Sequence, residues 1–543
     1  MQKICCLSII GLLVSLTAFA QPKPESVPAP SVDISNYPWL HPELNMLQFY
    51  SPDALSTFYK KWKQTDKEKL TVLHFGDSHC QHEAFPGTIR KRFHKVHGDA
   101  GRGLMFPYST AKSYNSVEYI STHTGTWTSE RGFTMLPKLP MGVRGMTCRT
   151  ELSPASMTFD FVADVPAEYT RLKLFCKQSE KSFDLTVEID GKHTPVIIDQ
   201  TITTPYITVD IPAIRNRKMT LHVVKNDAVE SEFEFYGLSL ESTKETGVIY
   251  HNAGVGAARW NSLLYYELLW GQIPFIKPDV IVLDYGTNDY LYDDRIRPEL
   301  ENEIKTVIAK MRAAAPNASI ILTSSQDLFF KKRNCRSGEP FSDMMHRIAA
   351  ETKSAIFDWY WVSGGQGTMA NWVNEGLAQP DYIHLSVRGY ELKGNLFYDA
   401  LKNTMDWMDK NADAEEFFFN VDSLKTEQRL YCKVNPQPAA VTVTNKPVAT
   451  KVSPSVAATT NKVATPPAKT TVTTSAPKTT TAIVAPASTA GRVKYIHKIT
   501  TGESLYSIGK KYNVTVSQLK SWNNMVRDMI NAGKTLVVWV KKK

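Results

Sequence analysis

Four runs in this chain, KLTVLHF, DVIVLDYG, SIILTSS and SAIFDWY, are apolar at nearly every position rather than at every second one. A strand of that kind must be buried on both faces, which happens in parallel sheets covered on each side. Helix-period patterns over residues 297–315 and 341–352 lie between the later runs. Strands alternating with such helices predict a parallel sheet in a three-layer α/β/α arrangement.

Between the first and second of these runs the texture changes. From about residue 109 to 242 the segments MTFDFVAD, RLKLFCK, DLTVEIDGK, YITVDIP, MTLHVVK and FEFYGLSL alternate apolar and polar residues at short spacing. That pattern predicts a β-sandwich. Because strands of the parallel sheet flank it on both sides, it reads as an insertion, leaving the α/β domain split over 21–108 and 243–432.

A chain of 543 residues is too long for one core. The first twenty residues, MQKICCLSIIGLLVSLTAFA, have a lysine, an apolar stretch and Ala18-Phe19-Ala20, as a secretory signal peptide does. The expectation is an exported protein of the periplasm or cell envelope, with no stable membrane insertion after signal cleavage, since no later run is long enough to span a bilayer. Five cysteines follow that segment, an odd number at wide spacings, so no disulfide framework is expected. Residues 433–491 are rich in Thr, Ala and Pro, lack core-forming residues and read as a linker. Residues 433–543 carry a net charge of +15 and the rest −6. A basic tail on an exported protein points to an anionic wall polymer or a membrane surface rather than to nucleic acid.

The chemistry sits at the ends of the apolar runs. LHFGDSHCQH presents Ser78 immediately after the first strand. HNAGVGAARW offers Gly254 and Gly256 after another, and DYGTNDY brings Asn288 and Asp289. PDYIHLSVRGYEL places Asp381 three residues before His384, ahead of a helix. Loops after the strands of a parallel sheet gather at its carboxyl edge. A serine there needs a base to take its proton, which suits His384, and an acid to orient that base, which suits Asp381. The oxyanion of an acyl-transfer intermediate needs N–H donors, which the backbones of Ser78 and Gly254 and the side chain of Asn288 can supply, with Gly256 an alternative to Gly254. His74, His79, Cys80 and His82 suggest a metal site only weakly, because no other Cys or His pair has ligand spacing. No metal or organic cofactor is implied.

Gly-Asp-Ser, then Gly, then Gly-x-Asn-Asp, then Asp-x-x-His resembles the SGNH (GDSL-type) hydrolases over residues 70–410, the insert excepted. The resemblance implies a catalytic triad of Ser78, Asp381 and His384 and an oxyanion hole of Ser78, Gly254 and Asn288. His79, where many members have leucine, makes the block resemble that of bacterial peptidoglycan O-acetylesterases and some polysaccharide O-acetyltransferases. Those esterases also carry a carbohydrate-binding-like β-domain inserted between the serine and glycine blocks.

Within residues 492–543, TTGESLYSIGKKYNVTVSQLKSWNN and AGKTLVV resemble a LysM domain, with helices expected over 504–512 and 516–523 in a βααβ order. This resemblance implies binding of peptidoglycan or a related glycan. Together the segments lead to the expectation of an exported serine esterase that removes O-acetyl groups from peptidoglycan and is held on the wall by LysM. The alternatives are an O-acetylesterase or O-acetyltransferase acting on another envelope or dietary polysaccharide, and a catalytically inert glycan-binding wall protein.

Overall fold

The computed structural model describes residues 27–436, 492–500, 505–512, 514–523, 525 and 533–541. The expected signal peptide and almost all of the expected linker lie outside the described residues. The chain divides into two compact units, Met1–Thr442 and Val443–Lys543. No described helix is long and apolar enough to cross a membrane.

In the first unit the apolar runs become strands Lys69–Gly76, Val280–Asp284, Ser319–Thr323 and Ala355–Phe357, joined by Gly247–Gly254. All five are parallel. Lys69–Gly76 has Gly247–Gly254 on one side and Val280–Asp284, Ser319–Thr323 and Ala355–Phe357 outward on the other. Alternation along each strand sends Leu73, Phe75, Ile281 and Leu283 into one core and Leu70, Val72, Val280 and Val282 into the other. Helices Leu300–Ala314 and Gly338–Thr352 close the first core, and Ala84–His97 and Val387–Lys410 close the second. Two covered faces are the reason these runs are apolar throughout. The carboxyl end of Lys69–Gly76 is a topological switch point, where a crevice forms.

The inserted strands differ from a free-standing sandwich. Five of them form a sheet in the order Lys192–Val196, Asp184–Ile189, Lys218–Val224, Ala155–Phe161, Tyr119–Thr124. The facing layer is an extension of the catalytic sheet itself. Asp99–Met105 pairs parallel with Gly247–Gly254 and antiparallel with Phe233–Ser242, which in turn pairs with Tyr169–Cys176 and Met146–Thr150. The chain thus leaves and re-enters the sheet along neighbouring strands, and one hydrophobic core runs from Phe75 through Leu174 to Val187.

All five cysteines of the described residues are free. Cys148 and Cys176 sit opposite Phe235 from its two sides, two strand spacings or about 10 Å apart, beyond disulfide reach. Helix Asp422–Val434 runs two residues into the expected linker. Its Gln428 Oε1 accepts hydrogen bonds from the Tyr360 hydroxyl (2.7 Å) and the Gln366 N–H (2.8 Å).

In the second unit, strands Arg492–Lys498 and Thr535–Lys541 pair antiparallel, and helices Leu505–Tyr512 and Val516–Trp522 lie between them in sequence. Ile499, Leu505, Ile508, Val514, Leu519, Leu536 and Val538 form the core. Thr515 and Gln518 cap the second helix reciprocally, side chain to backbone, at 3.2 and 3.0 Å.

Candidate active site

The short helix Ser78–Gln81 starts directly after the central strand, with Asp77 as its N-cap: Oδ1 of Asp77 accepts the His79 N–H at 2.9 Å. Sitting down on two strand ends at once requires glycine beneath. A Cβ at Gly254 would lie 2.6 Å from the Cβ of Cys80 and 2.6 Å from the nitrogen of Gln81, and one at Gly76 would lie 2.9 Å from the same Cys80 Cβ. Asn252, fully buried, ties the helix down, its Nδ2 donating to Cys80 O at 3.0 Å.

Ser78 Oγ lies 2.9 Å from His384 Nε2, and His384 Nδ1 lies 2.8 Å from Asp381 Oδ2. The other Asp381 oxygen accepts the N–H groups of Ile383 (2.9 Å) and His384 (3.0 Å). Burial raises the Asp381 carboxyl, but the hydrogen bonds from His384 and the Ile383 backbone outweigh it and hold the group at about 2. Burial also lowers His384, yet the Asp381 hydrogen bond and charge, with the charge of Asp77, leave the imidazole more basic than usual. The pair borders a cavity of about 280 Å³ lined by Ser78, His82, Tyr114, His384, Leu385 and Tyr390 among others. Such a chain can pass the serine proton to the imidazole while the carboxylate stabilises the resulting imidazolium.

Both candidate glycines make hydrogen bonds within the protein. Gly254 is the last residue of its strand, and its N–H is donated to Asn252 Oδ1 at 3.0 Å. Gly256 donates its N–H to Gln81 Oε1 at 2.6 Å. Neither offers a free donor, because both hold the nucleophile helix in place. In the same loop Val255 bonds Gly76 O and Ala258 bonds Val255 O. The N–H of Ala257, an exposed residue at φ 66°, donates to no protein group among the described residues, and neither does that of Ser78. Asn288 Nδ2 donates to Ala258 O at 3.0 Å and, less closely, to Asp77 Oδ2 at 3.3 Å. Asp289 stays out of the cavity, its carboxylate accepting the Trp260 N–H at 3.4 Å.

A second set of groups escaped the motif. His79 is buried beside His384, and its ring nitrogens lie 2.9 Å from the Tyr390 hydroxyl and 3.2 Å from Gln326 Nε2. Gln326 also donates to Ile383 O at 3.1 Å, in the loop that carries the triad acid and base. Beneath the helix, His74, Cys80 and Asp284 bring potential ligand atoms within 4.8 Å of one another, but Lys393 Nζ sits 3.1 Å from Asp284 Oδ2 and supplies a positive charge there. His74, His79 and His82 do not converge as one ligand set. In sequence these partners are a Gln in the loop after Ser319–Thr323 and a Tyr in helix Val387–Lys410, and such residues carry no signal of their own.

Fold and site define a carboxylic ester hydrolase joined to a separate small βααβ module. Residues 237–392 match the model of the GDSL-like lipase/acylhydrolase family and residues 497–539 that of the LysM domain, so the chain carries one of each. The serine block precedes the matched span and joins it through the pairing of Lys69–Gly76 with its neighbours. Among solved structures, a peptidoglycan O-acetylesterase superposes with a TM-score of 0.55 at 21% identity, over 66% of this chain and 99% of its own. A family two carbohydrate esterase from Clostridium thermocellum gives a TM-score of 0.25 at 12% identity, over 48% of this chain and 95% of its own. An acetylxylan esterase from Geobacillus stearothermophilus gives 0.22 at 19% identity, over 29% of this chain and 74% of its own. A comparison with curated proteins gives no match.

Proposed function

We propose that the protein removes O-acetyl groups from peptidoglycan, by way of an acetyl-Ser78 intermediate, and that it is an exported enzyme held on the wall by its LysM domain. The observation that carries the reading is the continuous chain Ser78 Oγ, His384, Asp381 at the edge of an open cavity. The fold likeness to a peptidoglycan O-acetylesterase and the presence of LysM supply the substrate class.

In this reading Ser78 Oγ attacks the acetyl carbonyl and its proton moves to His384 Nε2. The oxyanion is held by the N–H of Ser78 and, from the loop after Gly254, that of Ala257, neither of which donates to a protein group among the described residues, with Asn288 exchanging its long bond to Asp77 for the substrate oxygen. His384 then protonates the departing sugar hydroxyl. Water, deprotonated by the same imidazole, attacks the acetyl-serine, releasing acetate and restoring the Ser78 hydroxyl.

The test is acetate release from O-acetylated peptidoglycan by the full chain, beside Ser78→Ala and a version ending before the linker. Release that depends on Ser78, and that weakens on insoluble wall without LysM, supports the reading. Cleavage of a small acetyl ester with no release from peptidoglycan overturns the substrate.

A further inference from the structure

The cavity beside Ser78 has one wall that the nucleophile, base and oxyanion donors do not explain. Tyr114, from the inserted segment, lines it and is 43% exposed, a large share for a ring next to a reactive serine. Its segment is mounted on the nucleophile helix rather than hanging free. Gln81 Nε2 donates to Ser113 Oγ at 2.9 Å and to Tyr114 O at 3.3 Å, and the Val117 N–H donates to His82 O at 3.0 Å. The His82 ring lies 6.4 Å from that of Tyr114, extending the aromatic surface.

Arg131 ends the strand Thr128–Arg131 and reaches the same segment, its Nη1 3.5 Å from Ser113 Oγ, with its guanidinium over the Phe133 ring at 4.7 Å. No carboxylate lies within ion-pair distance of Arg131 among the described residues, whereas Arg149, on the strand paired with Thr128–Arg131, is paired with Glu151 and Glu232. Glu130 precedes Arg131 on the strand, and strand alternation turns it to the opposite face. An aromatic ring fixed at the mouth of the cavity and an unpaired guanidinium beside it suit a ligand with a flat apolar face and an anionic arm.

We propose that Tyr114 and Arg131 form a subsite that reads a carboxylate-bearing glycan, Tyr114 taking a pyranose face and Arg131 a carboxylate on that sugar or its substituent. The proposal rests on the esterase reading above and deepens it, since it separates anionic wall glycan from neutral acetylated polysaccharide. A hydrogen bond to a charged group in a partly exposed site is expected to change kcat/KM about tenfold.

The experiment compares kcat/KM of the full chain on O-acetylated peptidoglycan and on the same polymer with its carboxylates amidated. Amidation is expected to slow the unaltered protein about tenfold and to slow Arg131→Gln about twofold or less, while Tyr114→Ala lowers turnover of both polymers about tenfold. Equal rates on the two polymers for the unaltered protein, or an equal loss on both from Arg131→Gln, overturn the subsite. If neither polymer releases acetate while p-nitrophenyl acetate is cleaved, the peptidoglycan reading fails. The subsite is then decided by an acetylated polyuronate against acetylated xylan: a preference for the polyuronate that Arg131→Gln removes supports it, and no such preference overturns it.

Discussion

The imidazole of His79 packs against that of His384, ring centroids 5.3 Å apart and planes inclined by 31°. Burial, the charges of His384 and Lys393, hold His79 far less basic than a free histidine, so it stays neutral and places no like charge on the base. Its bonds to Tyr390 and Gln326 fix the ring, and Gln326 continues to Ile383 O. The expected result of His79→Leu is a fall in kcat of about 10- to 100-fold, since misplacing a reacting group by about 1 Å costs on that order. Steady-state kinetics on a small acetyl ester check this, and Gln326→Ala should move kcat in the same direction. A kcat within twofold of the parent in both variants would remove His79 from the positioning of His384.

Activity should rise with pH through a midpoint above 6.5. His384 accepts the serine proton only when neutral, and its basicity is raised in the folded protein, so the base form is gained later in the pH scale than for a free imidazole. Asp381→Asn removes the hydrogen-bonded charge that raises it and leaves burial, which lowers it. The midpoint should therefore move down while turnover falls roughly 1,000- to 10,000-fold. A kcat/KM profile against pH reads both changes, and an unmoved midpoint would contradict the role of Asp381.

Gly254→Ala should damage the protein through packing rather than through loss of an oxyanion donor. The added methyl meets Cys80 and Gln81 at 2.6 Å, so the nucleophile helix must lift. The expected cost is about 1–3 kcal/mol of stability together with a large loss of kcat. Denaturant unfolding beside kinetics tests it. Full stability would mean that the nucleophile helix does not need the space at Gly254.

Glu83 is fully buried and sits between Arg90 Nη2 (3.0 Å) and Arg102 Nη2 (2.7 Å). Burial pushes its carboxyl up, and the two guanidiniums more than offset this and hold it at about 2. A carboxyl lowered in this way adds stability above its unfolded value and loses it as pH falls through about 2. Glu83→Gln leaves both cations sharing Glu118. A destabilisation of about 3–5 kcal/mol is expected near neutral pH, because breaking a buried pair strands its partner. Chemical denaturation midpoints at fixed pH measure it, and a loss under 1 kcal/mol would mean that water or Glu118 satisfies both arginines.

Much of the site is legible in order along the chain, for reasons that are local. The Gly-Asp-Ser turn follows from a both-face apolar strand meeting a helix N-cap, and Asp381 reaches His384 because only two residues of one loop separate them. Gly254 is less legible, since glycine between a strand and a helix has two uses, freeing an amide or making room, and spacing does not distinguish them. His79 stands in the serine block without a stated role there, and Asn252, Gln326 and Tyr390 carry no motif: each matters through a hydrogen bond to a residue far away in sequence.

By itself the sequence determined the covered parallel strands, the alternating insert, the βααβ module and the residue types that hydrolyse esters, because each is written in periodicity or in neighbouring residues. Tertiary structure alone decided that Ser78 meets His384 across 306 positions, that the insert's inner layer is the catalytic sheet continued, and that Tyr114 lines the cavity while Arg131 reaches the adjoining Ser113. Those are pairings between segments remote in the chain, and they exist only once the switch point at Gly76 brings the strand ends together.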